Sequence, residues 1–255
     1  MSLGPSQAWE QGDWSIRFVQ GVSTQEKTEI TQALQGALTP ANRILEAHSR
    51  VKRFYKVPSK EACFFIKLRQ FHSWPRRLGR SFRPTKEERE LANYQLLGSM
   101  GIPCPRVLAS ARLKKGSLTR ASGLVTLFLE ETKPLKERLL GPEGPFLLEP
   151  LAGFLGLLRN AGIVHRDLHW GNILSGSSGQ GFPLYLVDPL HVRLIDGPQD
   201  RDFAMSMAWF LGFMIREGAK KELVGLVARK MVSLGLCSPW GEEELLLRAR
   251  QMGVP

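Results

Sequence analysis

His165-Arg166-Asp167-Leu168-His169-Trp170-Gly171-Asn172 is the stretch that decides how this sequence is read. It follows the apolar segment Leu147–Asn160, whose spacing predicts a helix ended by Ala161-Gly162, and it precedes a short strand, Ile173–Leu174. A polar run in that position must be a loop. Asp167 and Asn172 stand five apart on it. A carboxylate there can orient a neutral hydroxyl, and an amide oxygen is a hard donor suited to a divalent cation. Beyond the Gly/Ser-rich turn Gly176–Gly181, Leu184-Tyr185-Leu186-Val187-Asp188 reads as an apolar strand delivering a second carboxylate at its C-terminal end.

An Asp, an Asn five residues on, and an Asp at the end of the next strand match what phosphoryl transfer requires. Asp167 would accept the acceptor hydroxyl's proton, and Asn172 and Asp188 would hold Mg²⁺ on the phosphates of ATP. Asp196, after Val192–Ile195, is the alternative to Asp188. No Asp-Phe-Gly is present; Pro189 and Leu190 follow Asp188 instead. The same chemistry needs a Lys on an upstream strand and a Glu on the next helix. Phe64-Phe65-Ile66-Lys67 ends an apolar strand with a Lys. Alone, Lys67 would read as a snorkelling strand lysine; with the downstream loop it becomes the phosphate-contacting candidate. The next helix is expected over Thr85–Met100. Thr85 stands three before Glu88, a capping-box spacing. Leu91, Tyr94 and Leu96 or Leu97 form its apolar stripe, and Gly101 closes it with Pro103 just beyond. Glu90 is seven residues from Leu97, so it shares the inward face and is the expected partner of Lys67. Glu87 is the second choice.

The chain has 255 residues with 35 Lys+Arg, 24 Asp+Glu and a formal net charge of +11. Residues 50–86 hold twelve of the bases and one acid, Glu61, while the rest of the chain is balanced. It is therefore a neutral protein carrying one basic block. At 43% hydrophobic and 23% charged the composition is globular and excludes disorder. Three cysteines, Cys63, Cys104 and Cys237, show no metal spacing and suit a reduced, cytosolic setting. His72 and His191 read as non-ligands. No signal peptide is legible, and the longest near-apolar run, Phe203–Ile215, is too short to span a bilayer.

A local basic block points to an anionic partner; a solvated surface is the plain alternative. Residues 70–84 read as a long loop. There Arg76, Arg77, Arg80 and Arg83 interleave with Phe71, Trp74 and Phe82. That mixture suits an anionic membrane surface or a phosphorylated sugar, with nucleic acid ranked below them.

Elsewhere, Trp14–Phe18 reads as a strand and Thr24–Leu38 as a helix capped by Ser23 or Thr24. Ser49–Val57 and Ala62–Leu68 form a hairpin around Pro58-Ser59-Lys60. Val107–Arg112 and Leu124–Leu129 are further strands. Phe203–Arg216, Lys220–Leu234 and Glu242–Arg250 are helices. Strands come first and helices after, with the change near 130–133. That order predicts an α+β chain of two lobes with a hinge. Residues 1–130 would form the nucleotide-binding lobe, with 1–42 as an N-terminal extension of strand and helix. Residues 131–255 would carry the catalytic loop and the acceptor side. Glu130 and Glu131 would lie at the hinge, where backbone groups usually read adenine.

Taken together, these pieces resemble the lipopolysaccharide kinase branch of the protein-kinase-like superfamily, bacterial enzymes that phosphorylate inner-core heptose or Kdo. The matching residues are Ser49-Arg50-Val51, Phe64-Phe65-Ile66-Lys67, Glu90 through Gly101-Ile102-Pro103, His165–Asn172, Tyr185-Leu186-Val187-Asp188 and Arg201-Asp202-Phe203-Ala204. They span roughly residues 45–212. The resemblance implies a two-lobed kinase-like fold and ATP with Mg²⁺ as cofactors. It implies a sugar hydroxyl of a glycolipid as acceptor and a site in the cytoplasm, peripheral on the inner face of the membrane. Asp202 would cap its helix or bond the catalytic-loop backbone from a buried position. His165 and Arg166 would be structural, and His169 and Trp170 would either pack or touch the acceptor.

Two departures stand out. Residues Ile44–Lys56 contain no glycine, so no Gly-rich loop covers the phosphates. His165-Arg166-Asp167 is the protein-kinase form, which keeps a protein substrate open, as does the case for another small-molecule kinase. Against a protein substrate, only 13 residues separate Asp188 from Asp202, little room for an activation segment. A nucleotide-binding pseudokinase scaffold is the rival outside enzymes. The intact Lys67, Asp167, Asn172 and Asp188 set speaks against it.

Overall fold

Alternation writes the first half of the chain into strands. Trp14, Ile16 and Phe18 are buried while Arg17 between them is exposed. The computed structural model describes residues 8–36, 52–59, 62–177, 179, 181–195 and 200–253. Within them the chain forms two compact units. One takes in Met1–Leu96 and Pro105–Leu129, the other Leu97–Cys104 and Glu130–Pro255.

The first unit is built on strands β1 (Trp9–Gln11), β2 (Trp14–Phe18), β3 (Lys52–Pro58), β4 (Cys63–Gln70), β5 (Val107–Lys115) and β6 (Leu118–Leu127). They form one antiparallel sheet in the order β1-β2-β5-β6-β4-β3. Helix α1 (Thr24–Gly36) starts at a capping box. Ser23 Oγ accepts from the Glu26 N–H at 3.1 Å, and the Glu26 carboxylate accepts from the Ser23 N–H at 2.7 Å. Ile30 and Leu34 of α1 are buried with Ile16, Ile66, Leu68 and Val125 of the sheet. Because β2 pairs with β5, the expected N-terminal extension is an integral part of the sheet. β4 also runs three residues past Lys67, which lies inside a central strand and not at its end.

Residues 74–82, expected as loop, form helix α2 (Trp74–Phe82). Ser73 occupies its N-cap position and Pro75 its first turn, where a missing N–H goes unnoticed. No residue of α2 is buried, and its apolar positions Trp74, Leu78 and Phe82 belong to neither core. Helix α3 (Lys86–Ser99) opens on the expected capping box. The Thr85 N–H donates to the Glu88 carboxylate at 2.8 Å, and the Glu88 N–H donates to Thr85 Oγ1 at 3.2 Å. It ends in a Schellman motif. The Ile102 N–H donates to the Leu97 carbonyl at 3.0 Å and the Gly101 N–H to the Gly98 carbonyl at 3.2 Å. Gly101 takes φ +71° to permit it. Leu97 and Ile102 are buried in the second unit's core, which assigns Leu97–Cys104 to that unit.

The second unit is mainly helical. Its elements are β7 (Lys133–Pro134), α4 (Leu135–Leu139), α5 (Leu148–Asn160), β8 (Ile163–His165), β9 (Ile173–Ser175), β10 (Leu184–Leu186) and β11 (Val192–Leu194). Helices α6 (Asp200–Arg216), α7 (Lys221–Ser233) and α8 (Glu242–Gly253) complete it. The short strands form a β10-β9-β7 sheet and a β11-β8 ribbon. Leu151, Leu155 and Leu158 of α5 share a core with Met207, Phe210 and Met214 of α6. Helices α6 and α8 approach through glycine. A Cβ on Gly212 would lie 2.9 Å from the Ala249 carbonyl oxygen, and one on Gly253 would lie 2.8 Å from that of Gly212. Among the described residues no helix is long and apolar enough to cross a membrane.

Candidate active site

In the first unit the candidate residues lie where side chains of α3 meet the sheet. Lys67 on β4 donates to both oxygens of Glu90 on α3, at 2.9 and 2.8 Å. The two side chains are only 7% and 1% exposed. Taking two charges out of water costs several kcal/mol per ion unless the geometry is excellent, and here the carboxylate chelates the ammonium. Glu87, the second choice for this pairing, is also buried but meets Arg69 Nε at 2.8 Å and the Ser122 hydroxyl at 2.5 Å. Glu88 takes Arg112 through both oxygens, at 2.6 and 2.5 Å. Burial alone would raise the Glu88 pKa. The hydrogen bonds from Arg112 and the Thr85 N–H outweigh it and hold the carboxyl below its usual range. Three neighbouring carboxylates thus match three different cations of the sheet.

In the second unit the loop between β8 and β9 carries Asp167 and Asn172, and Asp188 follows β10. His165 ties these pieces together. Its Nδ1 accepts from the Asp167 N–H at 3.1 Å, and its Nε2 lies 3.2 Å from the Asp188 carbonyl. A ring nitrogen that accepts is unprotonated, so Nε2 carries the proton and donates. His165 is 1% exposed. Burial pushes its pKa down to about 4, against the opposing pull of the Asp188 carbonyl and the Asp167 and Asp188 charges. The imidazole is therefore a neutral strut and not a base.

Asn172 Nδ2 donates to the Asp167 carbonyl at 2.9 Å, which fixes the amide and leaves Oδ1 as its acceptor end. The Val187 N–H donates to the Asn172 carbonyl at 2.9 Å, joining the loop to the end of β10. Asp188 adopts a left-handed backbone, φ 52° and ψ 55°. A non-glycine residue holds that conformation only where its surroundings enforce it. Here His165 holds the Asp188 carbonyl and Val192 of β11 pairs with His165. Asn172 and Asp188 offer an amide oxygen and a carboxylate. Magnesium typically takes one or two carboxylates and fills its shell with phosphate oxygens and water, so these donors fit it. Among the described residues no three His, Cys, Asp or Glu side chains gather into an all-protein cage.

Other residues settle differently from the sequence reading. Trp170 is wholly buried, and its indole N–H donates to Glu217 at 2.7 Å, so it packs and does not face an acceptor. Lys136 also meets Glu217, at 2.9 Å. Burial would raise the Glu217 pKa, but the bonds from Lys136 and Trp170 hold it low. His169 is half-buried; its Nδ1 accepts from the Gly171 N–H at 3.1 Å and its ring lies 4.8 Å from that of Phe213. Arg166 is exposed, and its backbone N–H bonds the His191 carbonyl. Asp202 is the third residue of α6 and exposed, so it is neither the N-cap nor a buried loop anchor. Glu130 and Glu131 are exposed on a turn. The Glu131 carbonyl already accepts from Arg138 at 3.3 Å. Asp196 and Ser49–Val51 lie outside the described residues. Glu217 and Lys136 went unnoticed in the sequence, where nothing local marks them.

Lys67 and Glu90 belong to one compact unit and Asp167, Asn172 and Asp188 to the other. Within each unit the expected residues are brought together. No family model matches the chain, and neither does any curated protein. Among solved structures it is similar in fold to WaaP in complex with acyl carrier protein. That match has a TM-score of 0.55 and 18% identity, and covers 88% of this chain and 95% of that one. A second match, WbdD with the kinase inhibitor LY294002, has a TM-score of 0.46 and 16% identity, and covers 82% of this chain and 45% of that one. The sheet-bearing first half and helical second half are a kinase-like fold.

Proposed function

We propose that this chain is an ATP-dependent kinase. Its acceptor would be a sugar hydroxyl of the lipopolysaccharide inner-core type, heptose or Kdo. The observation that carries the reading is the His165 strut. One neutral imidazole holds the backbone of Asp167 and the backbone of Asp188, while Asn172 is bonded to Asp167 in turn. A carboxylate for the hydroxyl and two oxygen ligands thus come as one assembly. The buried Lys67–Glu90 pair supplies the phosphate-contacting cation that such a kinase needs.

In this reading Asp167 orients the acceptor hydroxyl and takes its proton. Lys67, held by Glu90, contacts the phosphates of ATP. Asn172 and Asp188 hold Mg²⁺, which when bound neutralises charge developing on the phosphoryl oxygens. Catalysis is then positioning and charge neutralisation. Glu130 and Glu131 contribute backbone groups for the nucleotide base. A glycolipid acceptor would be met at the inner face of the cytoplasmic membrane.

Labelled ATP supplied in parallel to core oligosaccharide, a generic protein and an aminoglycoside tests the reading. Label should enter the oligosaccharide alone. Asp167→Ala should keep its nucleotide-induced rise in melting temperature and lose transfer by roughly 10²- to 10⁴-fold. Near-wild-type turnover in that variant would remove Asp167 from the chemistry. Label in protein would move the acceptor class. No transfer at all, with nucleotide still raising the melting temperature, would make the chain a scaffold.

A further inference from the structure

Helix α2 is the described element that the fold does least to explain. Its nine residues include none that is buried. Trp74 is 61% exposed and Phe82 80% exposed. Trp74, Leu78 and Phe82 recur at i, i+4 and i+8 and share one side of the helix, while Arg76 and Arg80 share another; Arg83 follows as the extended C-cap residue. Two bonds set which side faces the protein. Ser81 Oγ accepts from the Thr119 N–H at 2.9 Å, and Arg77 Nε donates to the Phe71 carbonyl at 2.8 Å. The aromatic band and the arginine band therefore lie on nearly opposite sides of the helix, to either side of its outer face.

Among the described residues, no carboxylate neutralises the charge on this helix. The nearby carboxylates Glu87, Glu88 and Glu90 are taken by Arg69, Arg112 and Lys67. Arg77 and Arg80 donate to backbone carbonyls, of Phe71 and Pro84. Arg76 and Arg83 are exposed, and neither forms an ion pair among the described residues. Lys86 feels the same field. Its pKa is lowered first by burial and then by Arg69, Lys52, Arg80 and Arg89.

We propose that α2 is a membrane-docking helix that lies in the surface of an anionic phospholipid bilayer. Trp74 and Phe82 enter the boundary between headgroups and acyl chains, and Arg76 and Arg83 pair with lipid phosphates. The separation of the bands selects this partner. A bilayer presents an apolar layer beneath a charged one, so it rewards aromatics on one side and arginines on the other. A nucleic-acid strand alternates base and phosphate along its length and favours aromatics interleaved with cations. The inference goes beyond the kinase reading and does not need it.

The test is co-sedimentation of the full-length protein with vesicles of phosphatidylcholine alone and of phosphatidylcholine with phosphatidylglycerol. Binding should require the anionic lipid and weaken with salt. Arg76→Ala with Arg83→Ala should weaken it roughly thirtyfold, and Trp74→Ala with Phe82→Ala should weaken it as well. All four side chains are unburied, so melting temperatures should match wild type and confirm the fold. Equal binding to neutral vesicles overturns the proposal, as does unchanged binding by either double variant. An oligonucleotide that binds more tightly through the same four residues also overturns it and makes α2 a nucleic-acid contact. Anionic-vesicle binding by a protein that transfers no phosphoryl group upholds the proposal while refuting the kinase reading.

Discussion

Lowering the pH should unlock the Asp167–Asn172 loop through His165. In the folded chain its pKa is held at about 4, against an ordinary value of 6.5. As pH falls through 6.5 the unfolded chain takes the proton first, so protonation favours unfolding. The contribution is fully present above about pH 6.5 and is lost as pH drops toward 4. The gap corresponds to about 3 kcal/mol in all, of which about 1 kcal/mol is gone by pH 5.5. The structural cause is direct. A protonated Nδ1 would point a hydrogen at the Asp167 N–H, placing donor against donor where a bond now stands. Urea unfolding between pH 7 and 4.5, for wild type and His165→Gln, measures the effect. The variant should be less stable at pH 7, by about 1–3 kcal/mol for the unsatisfied loop amide, and should show a flatter pH dependence. Titrating carboxylates contribute to both proteins and cancel in the difference. Identical slopes would refute the strut, as would a His165 imidazole that titrates near 6.5 by NMR.

Lys67→Met leaves the Glu90 carboxylate buried beside an apolar side chain and should cost about 3–5 kcal/mol, measured by chemical unfolding. Adding Glu90→Leu should recover most of that stability but no transfer activity; failure to recover stability would show the pair is not the source of the loss. Gly212→Ala forces a Cβ to within 2.9 Å of the Ala249 carbonyl oxygen. It should push α6 from α8 at a cost of about 1–3 kcal/mol, seen as a lower melting temperature, whereas Gly225→Ala, with open space around it, should not.

Some of this was legible in the sequence for definable reasons. The Asp167–Asn172 loop is short, polar and framed by apolar elements, so chemistry and spacing suffice to find it. Glu90 was reachable because its seven-residue distance from Leu97 is a periodicity argument. Thr85 and Glu88 announced the start of α3, and Gly101 its end. Helix α2 was not legible, because Pro75, Gly79 and its arginines read as loop, although Trp74, Leu78 and Phe82 recur at helical spacing. The first half of β6 was missed for a related reason. Thr119, Ala121 and Ser122 are buried there, but being small or polar they do not read as core. β8 and β11 are three residues each, too short to show a period. Trp170 looked as much like a surface contact as a core residue. What decides it is Glu217, 47 positions away. Asp202 looked like a cap because the apolar run begins at Phe203, whereas α6 begins at Asp200.

The three carboxylates of α3 have a bearing on control. Glu87, Glu88 and Glu90 meet Arg69, Arg112 and Lys67, cations drawn from two strands, within little more than one helical turn. Rotating α3 by a single residue would carry all three away from their partners at once. Kinases that switch by moving the glutamate-bearing helix depend on a pair that forms and breaks alone. Here the pair is one rung of a ladder that must be climbed down together. In the proposed kinase, helix α3 would thus be a fixed fitting and not a lever, with the Lys67–Glu90 contact formed in advance.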